Sequence, residues 1–278
     1  MDTKKVWFVT GASKGLGLSL VKTLLQEGYR VAATSRTLKS LETEIESSPN
    51  FLPLEVQLTD EGSVANAVKH ALEAFGTIDV VVNNAGYGQI GTLEELSDEE
   101  ARRNFDVNVF GALNVIRAVM PHFRAQHSGY FINVSSIGGM LGTFAGFGVY
   151  CATKFAVVGF TESLSEEVKE FGVKATVVYP GYFRTNFLDN GSLNLPKSPI
   201  EEYTAARNSE KWHETEMRGN QPGSPEKAAA AFIQLAESAE APLHFVMGSD
   251  AFGMAKGKIK ALEDQLRVNE ELSKSTDL

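Results

Sequence analysis

The sequence predicts an α/β domain built on a doubly wound parallel sheet. Three observations predict it. Short apolar runs alternate with longer segments of helical spacing along most of the chain. Those runs are apolar almost throughout, as strands are when both sheet faces are covered. The first run ends in a glycine-rich turn that opens a helix. Strands alternating with helices pair in parallel through right-handed crossovers. A sheet of this kind binds its ligand beyond the carboxyl ends of its strands.

Strands are expected over residues 6–10, 30–34, 51–57, 78–83, 130–135, 175–179 and 243–247. Helices are expected over 16–28, 61–75, 99–126, 150–171 and 225–238, with a shorter one over 37–47. Residues 186–224 differ in texture: they mix Asn, Ser, Gly, Pro and charges with Phe187, Tyr203 and Trp212. An insertion of that length between strand and helix reads as a substrate loop or lid, or as disorder. Residues 250–271 have a helical pattern and 273–278 a fraying tail, so 250–278 is a C-terminal helix and tail.

The chain has 278 residues, 43% of them hydrophobic, enough for a single domain over 1–278. The net charge of −9 argues against a nucleic-acid partner. The one cysteine, Cys151, allows no intrachain disulfide and no thiolate metal cluster, which fits a reducing cytoplasm. Neither a signal-peptide core nor an apolar span of about 18 residues occurs, so a soluble, cytoplasmic protein without a membrane partner is expected. His70, His122, His127, His213 and His244 make no i,i+4 pair, and no metal site is expected.

The first strand runs into Thr10-Gly11-Ala12-Ser13-Lys14-Gly15-Leu16-Gly17. Small residues let the backbone turn sharply and approach a pyrophosphate, and the helix N-terminus supplies free N–H groups and a favourable dipole. Such turns also serve plain strand–helix packing; the preceding strand and following helix favour nucleotide binding. The second strand selects the nucleotide. A site for NAD usually ends that strand in a carboxylate, but here it ends Thr34-Ser35-Arg36-Thr37. Arg36 offers a planar fork of donors, and Lys14 a second charge, which suits the 2′-phosphate of NADP(H). The plainer reading is two solvated surface cations.

Tyr150 and Lys154 stand four residues apart at the start of a helix, on one face. A phenol with a pKa of about 10 is a poor acid–base at neutral pH, and a nearby ammonium is expected to lower it. Alone, the spacing is common; its neighbours make it specific. The strand before it ends in Asn133-Val134-Ser135-Ser136, and either serine could hydrogen-bond a substrate oxygen. The fourth strand ends in Asn83-Asn84-Ala85-Gly86. Asn108 lies mid-helix, where a buried amide needs a partner or a task.

With these motifs in this order, residues 5 to about 190 resemble the short-chain dehydrogenase/reductase superfamily in its single-domain form. The resemblance implies a seven-stranded Rossmann-type sheet and a catalytic group of Asn108, Ser136, Tyr150 and Lys154. Tyr150 would exchange a proton with the carbonyl or alcohol oxygen, Lys154 would lower its pKa and hold the nicotinamide ribose, and Ser136 would orient the substrate oxygen. Asn108 would maintain a water relay behind Lys154. The cofactor would lie on Gly11, Ser13, Lys14, Gly15, Leu16 and Gly17, with Arg36, Gln57 and Leu58 around the adenosine. Asn84, Ala85 and Gly86 would line the adenosine ribose, and Pro180, Gly181, Phe183 and Thr185 would flank the nicotinamide. A dimer or tetramer is implied.

Four departures stand out. Gln57 replaces the usual Asp, and Ala145 a frequent Pro. Ser136 and Tyr150 are one residue further apart than usual, so either the loop 138–148 absorbs it or the role moves within the Ser135-Ser136 pair; Ser136-Ile137-Gly138-Gly139 favours Ser136. The C-terminal region lacks the Gly-Gly ending of ketoacyl-carrier-protein reductases, and the chain is more similar to the 17β-hydroxysteroid and retinol dehydrogenase branch. The expected activity is NADP(H)-dependent reduction of an apolar ketone or aldehyde, or oxidation of the alcohol. Phe144, Phe147, Tyr182, Phe183 and Phe187 could line the pocket. The competing readings are a catalytically silent NADP(H) sensor or scaffold on the same fold, and a sugar epimerase or dehydratase of the longer extended branch.

Overall fold

The fold is taken from a computed structural model that describes residues 4–189 and 191–278. Met1–Thr3 and Asn190, the latter inside the 186–224 insertion, lie outside the described residues. The first half comprises β1 (Val6–Val9), α1 (Gly15–Gln26), β2 (Arg30–Ser35), α2 (Leu38–Glu42), β3 (Phe51–Glu55), α3 (Glu61–Phe75), β4 (Val80–Asn83) and β5 (Gly88–Gln89). There follow α4 (Asp98–Phe105), α5 (Gly111–Gln126), β6 (Gly129–Val134), α6 (Gly148–Glu167) and β7 (Val173–Pro180). The remainder holds β8 (Leu193–Asn194), α7 (Thr204–Trp212), α8 (Pro225–Glu237), β9 (His244–Met247), α9 (Ser249–Val268) and α10 (Glu270–Lys274).

The seven strands expected from the sequence form one parallel sheet in the order β3-β2-β1-β4-β6-β7-β9. β1 shows why they are apolar throughout. Successive side chains point to opposite faces. Trp7 and Val9 pack with Leu20 and Leu24 of α1 and Phe232 of α8, whereas Phe8 packs with Val64 of α3 and Val119 of α5. All three β1 side chains are fully buried, each contributing roughly 1.5–3 kcal/mol or more. Local signals agree with the fold. Asp60 caps α3 by accepting from Ser63 N at 2.7 Å, and Gly76 ends it with φ +78°. Strand order reverses between β1 and β4, which opens a crevice at their carboxyl ends.

Two expectations gain detail. The helix expected over 99–126 forms as one unbroken helical run from Asp98 to Gln126, widened at Asp106–Phe110 into a π-turn between α4 and α5. The cause is Asn108, whose Nδ2 donates to Tyr87 O at 3.0 Å and Thr153 Oγ1 at 3.1 Å while its Oδ1 accepts from Tyr87 N at 3.0 Å. These bonds fix the widened turn against the loop after β4. The described residues of the insertion 186–224 carry regular structure, which bears on the choice between lid and disorder without deciding the role. Its β8 pairs with β5, and α7 docks through charge. The Glu95 carboxylate, fully buried, accepts from Thr92 N at 2.6 Å, from Ile200 N at 2.7 Å and from Arg207 at 2.9 Å. Polar composition masked this because the charges are paired. Arg207→Ala leaves Glu95 buried and without its cation, a loss on the order of 3 kcal/mol. Limited proteolysis should then cut within 186–224 several-fold faster than in the parent chain.

Candidate active site

The crevice is a cleft of about 570 Å³ at the carboxyl ends of β1, β2, β4, β6 and β7. Its floor is the glycine turn. Gly11 has φ +66°, and a Cβ there would lie 2.7 Å from Ala85 Cα, so only glycine lets the turn rest on the loop after β4. Asn84 ties the two together: its Nδ2 donates to Thr10 O at 3.0 Å and Gly11 O at 3.1 Å, and Thr10 Oγ1 accepts from the N–H groups of Asn84 and Ala85. Asn84, Ala85 and Gly86 line the cleft, but the Asn84 amide is committed to the turn. Gly11, Ser13, Lys14, Gly15 and Leu16 also line it. Gly17 does not: a Cβ there would sit 2.5 Å from Asn84 Nδ2 and Gly11 O, so Gly17 serves packing beneath the turn.

α1 begins at Gly15 with no side chain capping its N-terminus. Its free N–H groups therefore stand at the cleft, the arrangement that accepts a phosphate. Arg36 follows β2 at the same end, exposed, and among the described residues makes no ion pair and no side-chain hydrogen bond. Lys14 lies close enough to feel it. Burial lowers the Lys14 pKa, Arg36 lowers it further, and Asp189 works in the opposite direction. Gln57 and Leu58 line the cleft beyond β3.

At the other end, α6 carries Tyr150 and Lys154 into the cleft. Tyr150 is buried between the rings of Phe147 and Phe187, at centroid distances of 6.2 and 6.0 Å. Lys154 Nζ donates to Val134 O at 3.1 Å and lies 5.8 Å from the Tyr150 ring centroid. The two serines separate by task. Ser135 is buried and donates to Lys154 O at 2.8 Å, clamping α6 to β6. A Cβ on Gly139 would collide with both of those oxygens. Ser136 Oγ accepts from Gly138 N at 3.1 Å and stands beside Tyr150. Asn108 does not line the cleft; its Oδ1 and Lys154 Nζ both crowd Gly86, at 3.1 and 3.4 Å from where a Cβ would be.

The electrostatics differ from the expected ones. Burial pushes the Tyr150 phenol well above its ordinary value, with the Ser136 hydroxyl acting downwards and Cys151 and Tyr182 upwards. Burial outweighs whatever Lys154 contributes from 5.8 Å. Burial lowers Lys154 itself to about 8. Both charged forms are disfavoured by the same apolar walls, so Tyr150 is a neutral phenol at neutral pH.

Pro180, Gly181, Phe183 and Thr185 close the cleft after β7. Asp250 shapes that turn: it accepts from Tyr182 N at 2.7 Å, and its carboxylate occupies the space a Cβ on Gly181 would need. Thr185 faces Gly15 across the cleft, 3.7 Å from its Cβ position. The five aromatics named above all line the cleft, as does Cys151. Sequence reasoning missed His213 and Gln221. His213 Nδ1 lies 2.7 Å from Ser209 O, which can only accept, so that nitrogen carries the proton and Nε2 accepts from Tyr182 OH at 2.9 Å. Burial lowers its pKa, leaving it neutral. Gln221 is 2% exposed and its Oε1 has no partner among the described residues. Only their position in the insertion, after the turn at 180–185, could have hinted at either. Among the described residues no group of side chains is arranged to hold a metal, and no helix is long and apolar enough to cross a membrane.

Comparison with known proteins decides the family. Residues 5–194 match the family model described as short chain dehydrogenase. The chain belongs to the short chain dehydrogenase family. It is 34% identical over 268 residues to Oxidoreductase BOA17 of Botryotinia fuckeliana, covering 95% of this chain and 97% of that one. It is 38% identical to 3-ketodihydrosphingosine reductase of Bacteroides thetaiotaomicron, covering 72% and 71%. A crystal structure of a short-chain dehydrogenase from Streptomyces avermitilis superposes with a TM-score of 0.91 at 33% identity, covering 100% of both chains. More distant short chain dehydrogenase-fold structures hold cofactor. A 3-ketoacyl-(acyl-carrier-protein) reductase from Brucella melitensis (26% identity, TM-score 0.71, 87% and 95% covered) is complexed with NADH. A short chain dehydrogenase from Burkholderia cenocepacia (27%, 0.72, 96% and 99%) is in complex with NADP. This short chain dehydrogenase is thus an oxidoreductase of a family that uses nicotinamide dinucleotides.

Proposed function

We propose that the chain is an NADP(H)-dependent reductase of apolar ketones or aldehydes, able to run in reverse on the alcohols. The observation that carries it is Tyr150: a neutral phenol in an aromatic cleft, with Ser136 beside it and Lys154 behind. Residues 186–224, through Phe187 and His213, cover this end as a cap over the substrate.

The cleft suits the cofactor. The glycine turn leaves room where a Cβ would intrude, α1 presents its N–H groups to a diphosphate, and Arg36 with Lys14 awaits a doubly charged 2′-phosphate. NADPH, when bound, supplies the hydride. Everything else falls to the chain. Ser136 donates a hydrogen bond to the substrate carbonyl oxygen and sets it against Tyr150. Tyr150 gives its phenolic proton to that oxygen as negative charge develops there. Lys154 stabilises the phenolate left behind and holds the nicotinamide ribose. Asn108 acts through others, fixing Tyr87 and Thr153 and so the wall behind Lys154. Phe144, Phe147 and Phe187 exclude water and favour an apolar substrate, and the Bacteroides relative is named for a ketone, 3-ketodihydrosphingosine.

Lys154 sets a pH limit. It is protonated below about 8 and neutral above. Its positive charge is needed after Tyr150 releases the proton, so kcat for reduction should fall as the pH rises through about 8. A pH–rate profile with saturating NADPH checks this; a flat profile across that value contradicts it. The activity test is NADPH oxidation with a panel of apolar ketones and aldehydes. Tight NADPH binding without turnover of any would instead mark a sensor.

A further inference from the structure

The body of the protein buries only the start of α9. Ala251 and Ala255 pack against Ile137 and Leu141, with Met254 at their edge. From Ile259 onwards every residue of α9 and α10 is exposed. Yet that stretch is not polar. Ile259, Leu262 and Leu266 are 52%, 46% and 71% exposed, and Phe252 is 58% exposed. Ile259, Leu262 and Leu266 follow the alternating three- and four-residue steps of a coiled-coil seam, and the same steps run back through Ala255, already buried against the body, to the exposed Phe252. A helix with such a stripe in water lacks the packing that stabilises most helices in proteins. The Streptomyces avermitilis structure matches the chain over its whole length, these helices included.

We infer that this stripe is the interface with a second copy of the same chain, the two α9 helices lying antiparallel. The charges beside the seam argue for the occupant and the direction. The flank that follows the Ala255, Leu262 and Asn269 positions carries Lys256, then Glu263, then Glu270. It is basic where the helix leaves the body and acidic towards its end. Antiparallel pairing sets Lys256 of each copy beside Glu263 of the other, with Ile259 against Leu262 at the centre. Neither Lys256 nor Glu263 has an ion-pair partner within its own chain among the described residues. Flanking charges of this kind choose the partner and its orientation. The start of α9 touches the cleft through Asp250, but Ile259, Leu262 and Leu266 lie beyond the part that packs on the body and none of them lines the cleft, so this holds whatever the substrate.

Sedimentation velocity on the full chain tests it. The parent chain should sediment as an even-numbered assembly, and the double variant Leu262→Asp, Leu266→Asp as one of half that mass. Circular dichroism and NADPH binding confirm that the variant remains folded. Lys256→Glu alone and Glu263→Lys alone should each weaken association about tenfold or more, and the two combined should restore it. A monomeric parent chain, an unchanged mass in the Asp variant, or no rescue by the combined charge reversal overturns the inference. So does co-sedimentation of a monomeric parent chain with anionic phospholipid vesicles, which would assign the stripe to a lipid surface.

Discussion

Replacing Tyr150 by phenylalanine lowers kcat for ketone reduction by ~10²–10⁴-fold, the usual range for loss of a positioned general acid. The ring remains, so its packing between Phe147 and Phe187 remains, and NADPH affinity should change by less than about twofold. Both readouts matter. The phenol hydroxyl is the only group removed, and in this cleft it is a neutral donor placed beside Ser136. Burial above the ordinary phenol range makes the proton available for donation but costly to lose. The phenolate therefore needs Lys154, and Lys154→Met should depress kcat as far as Tyr150→Phe while also weakening NADPH. Steady-state kinetics with titration calorimetry for NADPH checks each. Equal loss of binding and turnover in Tyr150→Phe would mean that Tyr150 holds the cofactor instead of the proton.

Replacing Arg36 by alanine weakens NADPH binding by roughly 10–100-fold, since a hydrogen bond to a charged group is worth about 1.5–3 kcal/mol. NADH binding should hardly change, because a bare ribose offers Arg36 no charge to meet. Lys14→Ala should act in the same direction and less strongly, because Lys14 also donates to Gly191 O at 3.3 Å. The two cations lie close enough for Arg36 to lower the Lys14 pKa. A 2′-phosphate between them turns that repulsion into attraction. Fluorescence titration with both cofactors reads the difference. Parallel losses for NADPH and NADH would mean that Arg36 supports the glycine turn and not a phosphate.

The regular parts of the fold were legible because period and burial coincide. β1 reads as a strand since Trp7, Phe8 and Val9 are apolar for both faces, and α3 reads as a helix since Asp60 and Gly76 mark its ends. The π-turn at Asp106–Phe110 was not legible, because its cause is tertiary: Asn108 reaches Tyr87 and Thr153, which no helical period encodes. The insertion's polar texture left a lid and disorder both open for the same reason: what orders it is tertiary, since Glu95 and Arg207, 112 positions apart, pair in the interior. Within the site, the roles of Ser135 and Ser136 needed coordinates. Both follow the end of β6 in irregular backbone, where no period assigns a direction: Ser135 clamps α6 through Lys154 O, and Ser136 meets Tyr150. Despite the longer step between them, Ser136 stands beside Tyr150. Gly17 looked like a phosphate residue by motif and is a packing residue by contact. His213 and Gln221 were invisible because the segment that carries them returns to the cleft only in three dimensions.

The most direct test of the central claim compares NADPH and NADH as reductants for the parent chain across apolar ketones and aldehydes of increasing size. The account predicts turnover with NADPH, a higher kcat/KM for NADPH than for NADH by at least about tenfold, and rising efficiency as the substrate fills the aromatic cleft. Turnover that favours NADH, or NADPH bound tightly with no carbonyl compound reduced, would contradict it.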